Sequence, residues 1–160
     1  MYPTKNDLSE PKRVKLIELL NARLADSIDL QTQMKQAHWN VKGPDFIALH
    51  ELFDQINSSV EEYVDTIAER AVQLGGIAHG TARMVVKHST LTEYPGNIAS
   101  GHDHVEAVST ALSAFGKQVR HSIDLSQELS DADTTDLFTE VSRGIDKWLW
   151  FVEAHLQASK

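Results

Sequence analysis

Five side chains in this sequence have the types and spacing to hold a metal ion: His38, His50, Asp54, Asp65 and Glu69. Mixed imidazole and carboxylate ligands suit iron, admit zinc or cobalt as competitors, and suit magnesium or calcium less well. All but His38 lie on one uninterrupted helical pattern. Each helical residue turns the side-chain direction by about 100°, so His50 and Asp54 stack one turn apart, and so do Asp65 and Glu69. Asp54 and Asp65 are eleven residues apart, which returns the second almost to the direction of the first. The four side chains form one polar stripe.

That stripe cannot close on one ion within one chain. At a rise of ~1.5 Å per residue, Asp54 and Asp65 lie roughly 16 Å apart along the axis. An antiparallel pairing with a second copy solves the geometry. A two-fold axis near residues 59–60 sets His50 and Asp54 of one chain opposite Asp65 and Glu69 of the other. Ser58 and Ser59 fall at the crossing, where small side chains allow close approach. Two-fold pairing is also the commonest oligomeric symmetry. The expectation is a metal site built between subunits, occurring twice per dimer. Any one of these residues alone reads as an ordinary solvated face; it is the set, straddling a helix start, that carries the expectation.

Stepping outward from the stripe, four long helices must position it. Residues 1–8 read as a short polar arm. Ser9 is a plausible N-cap with Pro11 in the first turn, and Lys12 to His38 carries apolar residues at helical spacing: Val14, Ile17, Leu20, Leu24 and Ile28. Gly43–Pro44 breaks the pattern. A second helix starts at Pro44 or Asp45 and runs to about Leu74, where Gly75–Gly76 stops it. Residues 75–100 form a long connection with room for a short helix around Thr81–His88. Ser100 with Asp103 resembles a capping arrangement for a third helix reaching about Glu128. Asp131–Asp133 opens a fourth, continuing to about Leu156. The predicted fold is all-α, a ferritin-like four-helix bundle (residues 9–158) with a long crossover between the second and third helices.

Single-chain di-iron enzymes of this architecture use Glu-x-x-His on bundle helices. None of the eight histidines here has a glutamate three residues before it, which points away from an intrasubunit centre. Glu51 and Glu62 flank the stripe and could present carboxylates that nucleate mineral, though a solvated face is the simpler reading. His102 and His104 surround Asp103 at a helix start and read as surface residues. Trp148, Trp150 and Phe151 read as core and subunit contact.

Composition sets outer bounds. One domain by length, 41% hydrophobic and 24% charged, is ordinary for a globular chain. No apolar run is long enough to span a membrane. The N-terminal residues offer no apolar segment for secretion, and there is no cysteine for disulfides or thiolate sites. A cytoplasmic location, free or at the nucleoid, is expected. The net charge of −8 argues against unaided binding to nucleic acid and agrees better with cation uptake.

The stretches QAHWNVKGPDFIALHELFD and EEYVDTIAERAVQLGG, with LTEYP and SRGIDKWLWFVEA further on, closely resemble the Dps family of mini-ferritins over nearly the whole chain. The resemblance implies a ferroxidase site between two subunits, with His38, His50 and Asp54 facing Asp65 and Glu69. It implies iron as substrate, hydrogen peroxide as oxidant, mineral storage in a hollow homo-oligomeric shell, and a dodecamer. For Trp39, directly after a ligand, it implies electron or radical capture beside the iron. Asp131, Asp133, Asp136 and Glu140 otherwise read as carboxylates favoured at a helix N-terminus; by resemblance, Asp131, Asp136 and Glu140 would line a three-fold pore for iron. The arm, with Lys5 and then Lys12, Arg13 and Lys15, offers few phosphate contacts, so weak or absent DNA binding is expected. The rival readings are a nucleoid protein that compacts DNA with the metal site secondary, and a shell holding zinc with little turnover.

Overall fold

A computed structural model of the chain describes residues 1–157; residue 158, where the bundle was expected to end, lies outside them. Five helices make up the described chain: α1 (Glu10–Asn40), α2 (Phe46–Gln73), α3 (Ala82–His88), α4 (Gly101–Glu128) and α5 (Ala132–Gln157). α1 pairs with α2 and α4 with α5, and the two hairpins pack on each other through α1·α4 and α2·α5. This is the expected ferritin-like bundle, with α3 as the short helix of the crossover.

The helix ends follow the local chemistry. Ser9 opens α1 with Pro11 in its first turn, where the missing N–H is no loss. α2 closes in a turn where the Gly75 N–H donates to the Val72 carbonyl and the Gly76 N–H to the Ala71 carbonyl. That pattern needs a left-handed residue after the cap, and Gly75 sits at φ 87°. At α4 the Ser100 hydroxyl accepts from the Asp103 N–H at 3.1 Å, as the capping arrangement required. α1 runs two residues beyond the expected end at His38, which keeps that side chain inside a regular turn.

The crossover travels the length of the bundle. At its start the Arg13 guanidinium donates to the Leu74 carbonyl, tying the end of α2 to the beginning of α1. At its finish the Lys42 N–H donates to the Ala99 carbonyl, beside the end of α1. α2 and α4 therefore run parallel, and only a long connection can join them. Buried Asp26 of α1 holds the middle of this span, accepting from the Thr90 N–H at 2.6 Å and pairing with Arg23 at 2.8 Å. The N-terminal arm is docked too: the Tyr2 N–H donates to the Gly75 carbonyl at 2.7 Å.

Phe53, Phe115, Phe138, Leu16, Leu20, Leu24, Leu30, Met34, Ile56 and Ile67 fill the centre and are fully buried. Each contributes about 1.5–3 kcal/mol of apolar burial, so the four helices are a rigid platform for the polar face of α2. No described helix is long and apolar enough to cross a membrane.

Candidate metal centre

The turn at residues 41–45 reverses the chain and sets the last turn of α1 against the first turns of α2. His38 and His50 meet there with ring centroids 3.7 Å apart and nearly parallel planes. Their contacts are reciprocal: His38 Nδ1 lies 2.8 Å from the His50 carbonyl, and His50 Nδ1 lies 2.8 Å from the His38 carbonyl. A carbonyl oxygen can only accept, so each Nδ1 carries the hydrogen. In the neutral ring the lone pair is then on Nε2. The reciprocal hydrogen bonds thus select one tautomer of each neutral ring and hold both orientations.

Asp54 stands one turn further along α2, and its Oδ1 lies 2.6 Å from Lys35 Nζ of α1 and 4.0 Å from His38 Nδ1. The Lys35 hydrogen bond is the main reason the Asp54 carboxyl sits below the usual range. The carboxylate is therefore ionised and already accompanied by a cation. Sequence reasoning passed over Lys35, although its place three residues before His38 puts it on the same face of α1. His38, His50, Glu51, Asp54, Gln55 and Ser58 line an open depression of about 410 Å³.

Asp65 and Glu69 are exposed further along α2 and face no other part of their own chain's depression. Among the described residues, no three histidine, aspartate or glutamate side chains converge tightly enough within the chain to hold an ion. The chain thus brings His38, His50 and Asp54 to one depression and leaves Asp65 and Glu69 apart.

The remaining expected residues sort differently. Trp39 is 67% exposed and lines a separate groove with Gln36, Glu93 and Tyr94, away from the depression its neighbour His38 lines. Glu51 lines the depression, whereas Glu62 is exposed on α2. Asp136 and Glu140 are exposed on the first turns of α5. Asp131 is set deeper than its neighbours. It is only 4% exposed, and both its oxygens accept from Arg70 Nη2, at 2.9 and 3.0 Å. The Thr134 hydroxyl donates to it as well, and its own carbonyl accepts from the Thr135 N–H. Asp131 caps α5 and pairs with a buried guanidinium, and it lines an open pocket together with Asp136.

His104 departs from the expected surface position. It is 1% exposed rather than at the surface, and its Nδ1 lies 2.7 Å from the Tyr94 hydroxyl. Burial pushes the His104 imidazole below its ordinary value and the Tyr94 phenol above its own, so both shifts favour the neutral forms. His102 is exposed, as expected.

Comparison with known proteins places this arrangement in context. The ferritin-like domain family model matches residues 17–160. The DNA protection during starvation protein of Agrobacterium fabrum (strain C58 / ATCC 33970) is 46% identical over 98% of this chain and 96% of its own length. Its namesake in Mycolicibacterium smegmatis is 32% identical over 95% of this chain and 82% of that protein. Among solved structures, the tetragonal form of Mycobacterium smegmatis Dps superposes with a TM-score of 0.93 at 32% identity, covering 98% of this chain and 96% of that one. DpsA14 from Streptomyces coelicolor gives 0.93 at 32% identity, covering 99% and 93% respectively.

Proposed function

The chain belongs to the ferritin-like family and, within it, to the Dps proteins, and on that premise we propose that it is a ferroxidase that stores iron in a hollow homo-oligomeric shell. The observation that carries the reading is the division of five ligands on α1 and α2 into a set of three and a distant pair. Two-fold pairing of α2 brings the pair of one subunit to the set of three of another. Ferrous ion is the substrate. His38 and His50 offer Nε2 lone pairs with no proton to shed, while Asp54, Asp65 and Glu69 supply negative charge that favours the more highly charged ferric product.

With hydrogen peroxide as oxidant, two ferrous ions each give up one electron, the O–O bond breaks, and two protons are taken up to form two waters. Ferric product passes to the shell interior as mineral. Cell and DNA are protected because ferrous ion and peroxide disappear together before they can form hydroxyl radical. The docked arm and the net charge of −8 favour this indirect protection over DNA compaction. Zinc and cobalt are the competing occupants of the same ligands, and the shell is proposed to be a dodecamer acting in the cytoplasm.

The test is anaerobic addition of ferrous iron to the assembled protein, followed by peroxide. Ferric absorbance and iron retained in the assembled fraction are followed, with His38→Ala/Asp65→Ala as control. Rapid oxidation with retained iron, lost in the control, is expected. Oxidation indistinguishable from the control would return the stripe to zinc binding or structure, and a tight, salt-sensitive gel shift would bring DNA compaction forward.

The pore reading of Asp131, Asp136 and Glu140 is tested at Asp136 and Glu140, which are exposed on α5. Drawing a cation to a ring of carboxylates is an ionic-strength-dependent rate effect. In Asp136→Asn/Glu140→Gln, ferrous uptake should slow by about tenfold at low salt, with the rate in fully iron-loaded protein unchanged. Equal uptake by variant and parent removes the pore assignment.

A further inference from the structure

Three contacts outside the ligand set converge on the hairpin that carries His38 and His50, and all come from the N-terminus of α4 or the segment leading into it. The Lys42 N–H, in the turn between the two histidine-bearing helices, donates to the Ala99 carbonyl at 2.9 Å. Gly101 lies so close to α2 that a Cβ built there would stand 2.8 Å from Leu49 Cδ1. Leu49 is the residue before His50. Buried His104 is held by Tyr94 through Nδ1 at 2.7 Å. Its ring faces the carbonyls of Asn40 and Ile98 as acceptors, although Nε2 closes no well-aligned bond with either. Asn40 is two residues after His38.

From these contacts we infer that the α4 N-terminus, acting through Gly101 and the Tyr94–His104 pair, is a positioning element that sets the separation of His38 and His50. The inference rests on the reading that these two histidines bind metal. The physical argument is one of spacing. The reciprocal Nδ1–carbonyl bonds orient the two rings relative to each other, but both ends of the hairpin must be held from outside for that arrangement to persist. A backbone shift of a few tenths of an ångström at Asn40 or Leu49 passes straight to an imidazole one or two residues away. Gly101, having no Cβ, lets the α4 N-terminus sit close over Leu49 on the His50 side. The buried imidazole, anchored by the Tyr94 hydroxyl, meets the His38 side. Neither Tyr94 nor His104 approaches the depression where metal would sit, so their effect runs through backbone position alone.

Cobalt(II) titration of the assembled protein, read by its visible absorption, tests this. The spectrum reports ligand geometry and the titration reports affinity, and neither depends on turnover. His104→Leu and Tyr94→Phe should each weaken cobalt binding by about tenfold and alter the absorption, as loss of groups that orient ligands does. His104→Gln can accept from the Tyr94 hydroxyl and still donate toward Asn40, so it should recover most of the affinity. Gly101→Ala, which leaves the Tyr94–His104 pair intact, should weaken binding to a similar degree. Val119→Ala, in the core further along α4, serves as a variant destabilised without touching the hairpin, and should bind cobalt as the parent does.

If the parent binds cobalt and His104→Leu, Tyr94→Phe and Gly101→Ala bind it unchanged, the positioning role is overturned while the metal site stands. If Val119→Ala loses as much affinity as they do, the effect is general destabilisation and the inference fails. A parent protein that leaves cobalt in its aqueous spectrum, or that binds it equally after His38→Ala, overturns the site itself and the inference with it.

Discussion

Two inactive variants, assembled together, should recover about a quarter of wild-type ferrous oxidation when pairing is random and each two-fold dimer carries two sites. The first carries His50→Ala/Asp54→Ala and the second Asp65→Ala/Glu69→Ala. Alone, each forms dimers in which both sites lack two ligands. Loss of groups that merely orient ligands already costs 10- to 100-fold, so direct ligand loss should reduce activity by at least about 100-fold. In a mixed dimer, one site draws His50 and Asp54 from the second variant and Asp65 and Glu69 from the first, and is complete. The other site lacks all four. Half the dimers are mixed and half their sites are whole.

Differential tagging and sequential capture would isolate the mixed assemblies, and oxidation would be measured on that fraction. The prediction discriminates sharply because a site confined to one chain cannot be complemented this way. The separation of Asp54 and Asp65 along α2, roughly 16 Å, makes the intrachain alternative geometrically closed. Recovery indistinguishable from either variant alone would falsify the shared site and leave the pair Asp65 and Glu69 as solvated surface.

The second large effect is on stability. Arg70→Leu should lower the stability of the protein by about 3–5 kcal/mol, because removing one partner of a buried ion pair leaves the other uncompensated. Arg70 reaches Asp131 with two hydrogen bonds from Nη2 and Thr134 with one from Nε at 3.0 Å. The stranded Asp131 carboxylate would be 4% exposed, with only Thr134 to satisfy it. For a chain of this size the loss corresponds to a fall in Tm of roughly 6–20 °C, read by calorimetry at fixed protein concentration because assembly adds its own mass-action stability. A change below about 1 kcal/mol would reduce the pair to the worth of a surface ion pair.

The same pair carries a pH signature. Burial alone pushes the Asp131 carboxyl up, but hydrogen bonds from Thr134 and Arg70 and the guanidinium charge outweigh it and hold the group below its usual range. A carboxyl lowered by folding contributes stability that is present above its unfolded value of about 4. That contribution is lost as the pH falls from there through the lower folded value. Parent protein should therefore lose stability on acidification through this window more steeply than Asp131→Asn, which has no carboxyl to titrate. Parallel acid limbs for the two would remove Asp131 from the account.

The sequence by itself determined the helices and the register of the polar face of α2. Ser9 with Pro11, Gly75 with Gly76, and Ser100 with Asp103 are local signals, and each acts within a few residues through backbone groups that the helix end leaves unpaired. The spacing of His50, Asp54, Asp65 and Glu69 is likewise local, since helical rise and turn follow from backbone geometry alone. Even the separation of Asp54 from Asp65 was legible, because a known rise per residue forbids them to meet within one helix.

Tertiary structure decided what depends on partners distant in sequence. Asp131 and Asp136 are the same residue type near the same helix start, and nothing in their local pattern separates them. Arg70, sixty-one residues away, buries one and leaves the other exposed. His102 and His104 differ in the same way: two residues along a helix turn a side chain to nearly the opposite face, and only the docking of Tyr94 and the carbonyls of Asn40 and Ile98 makes that second face an interior. Lys35 at Asp54 and Tyr2 at Gly75 were likewise settled by which surfaces the bundle brings together. A titratable side chain has one identity in sequence, but its solvation, and with it its charge and its work, is a property of the packed chain.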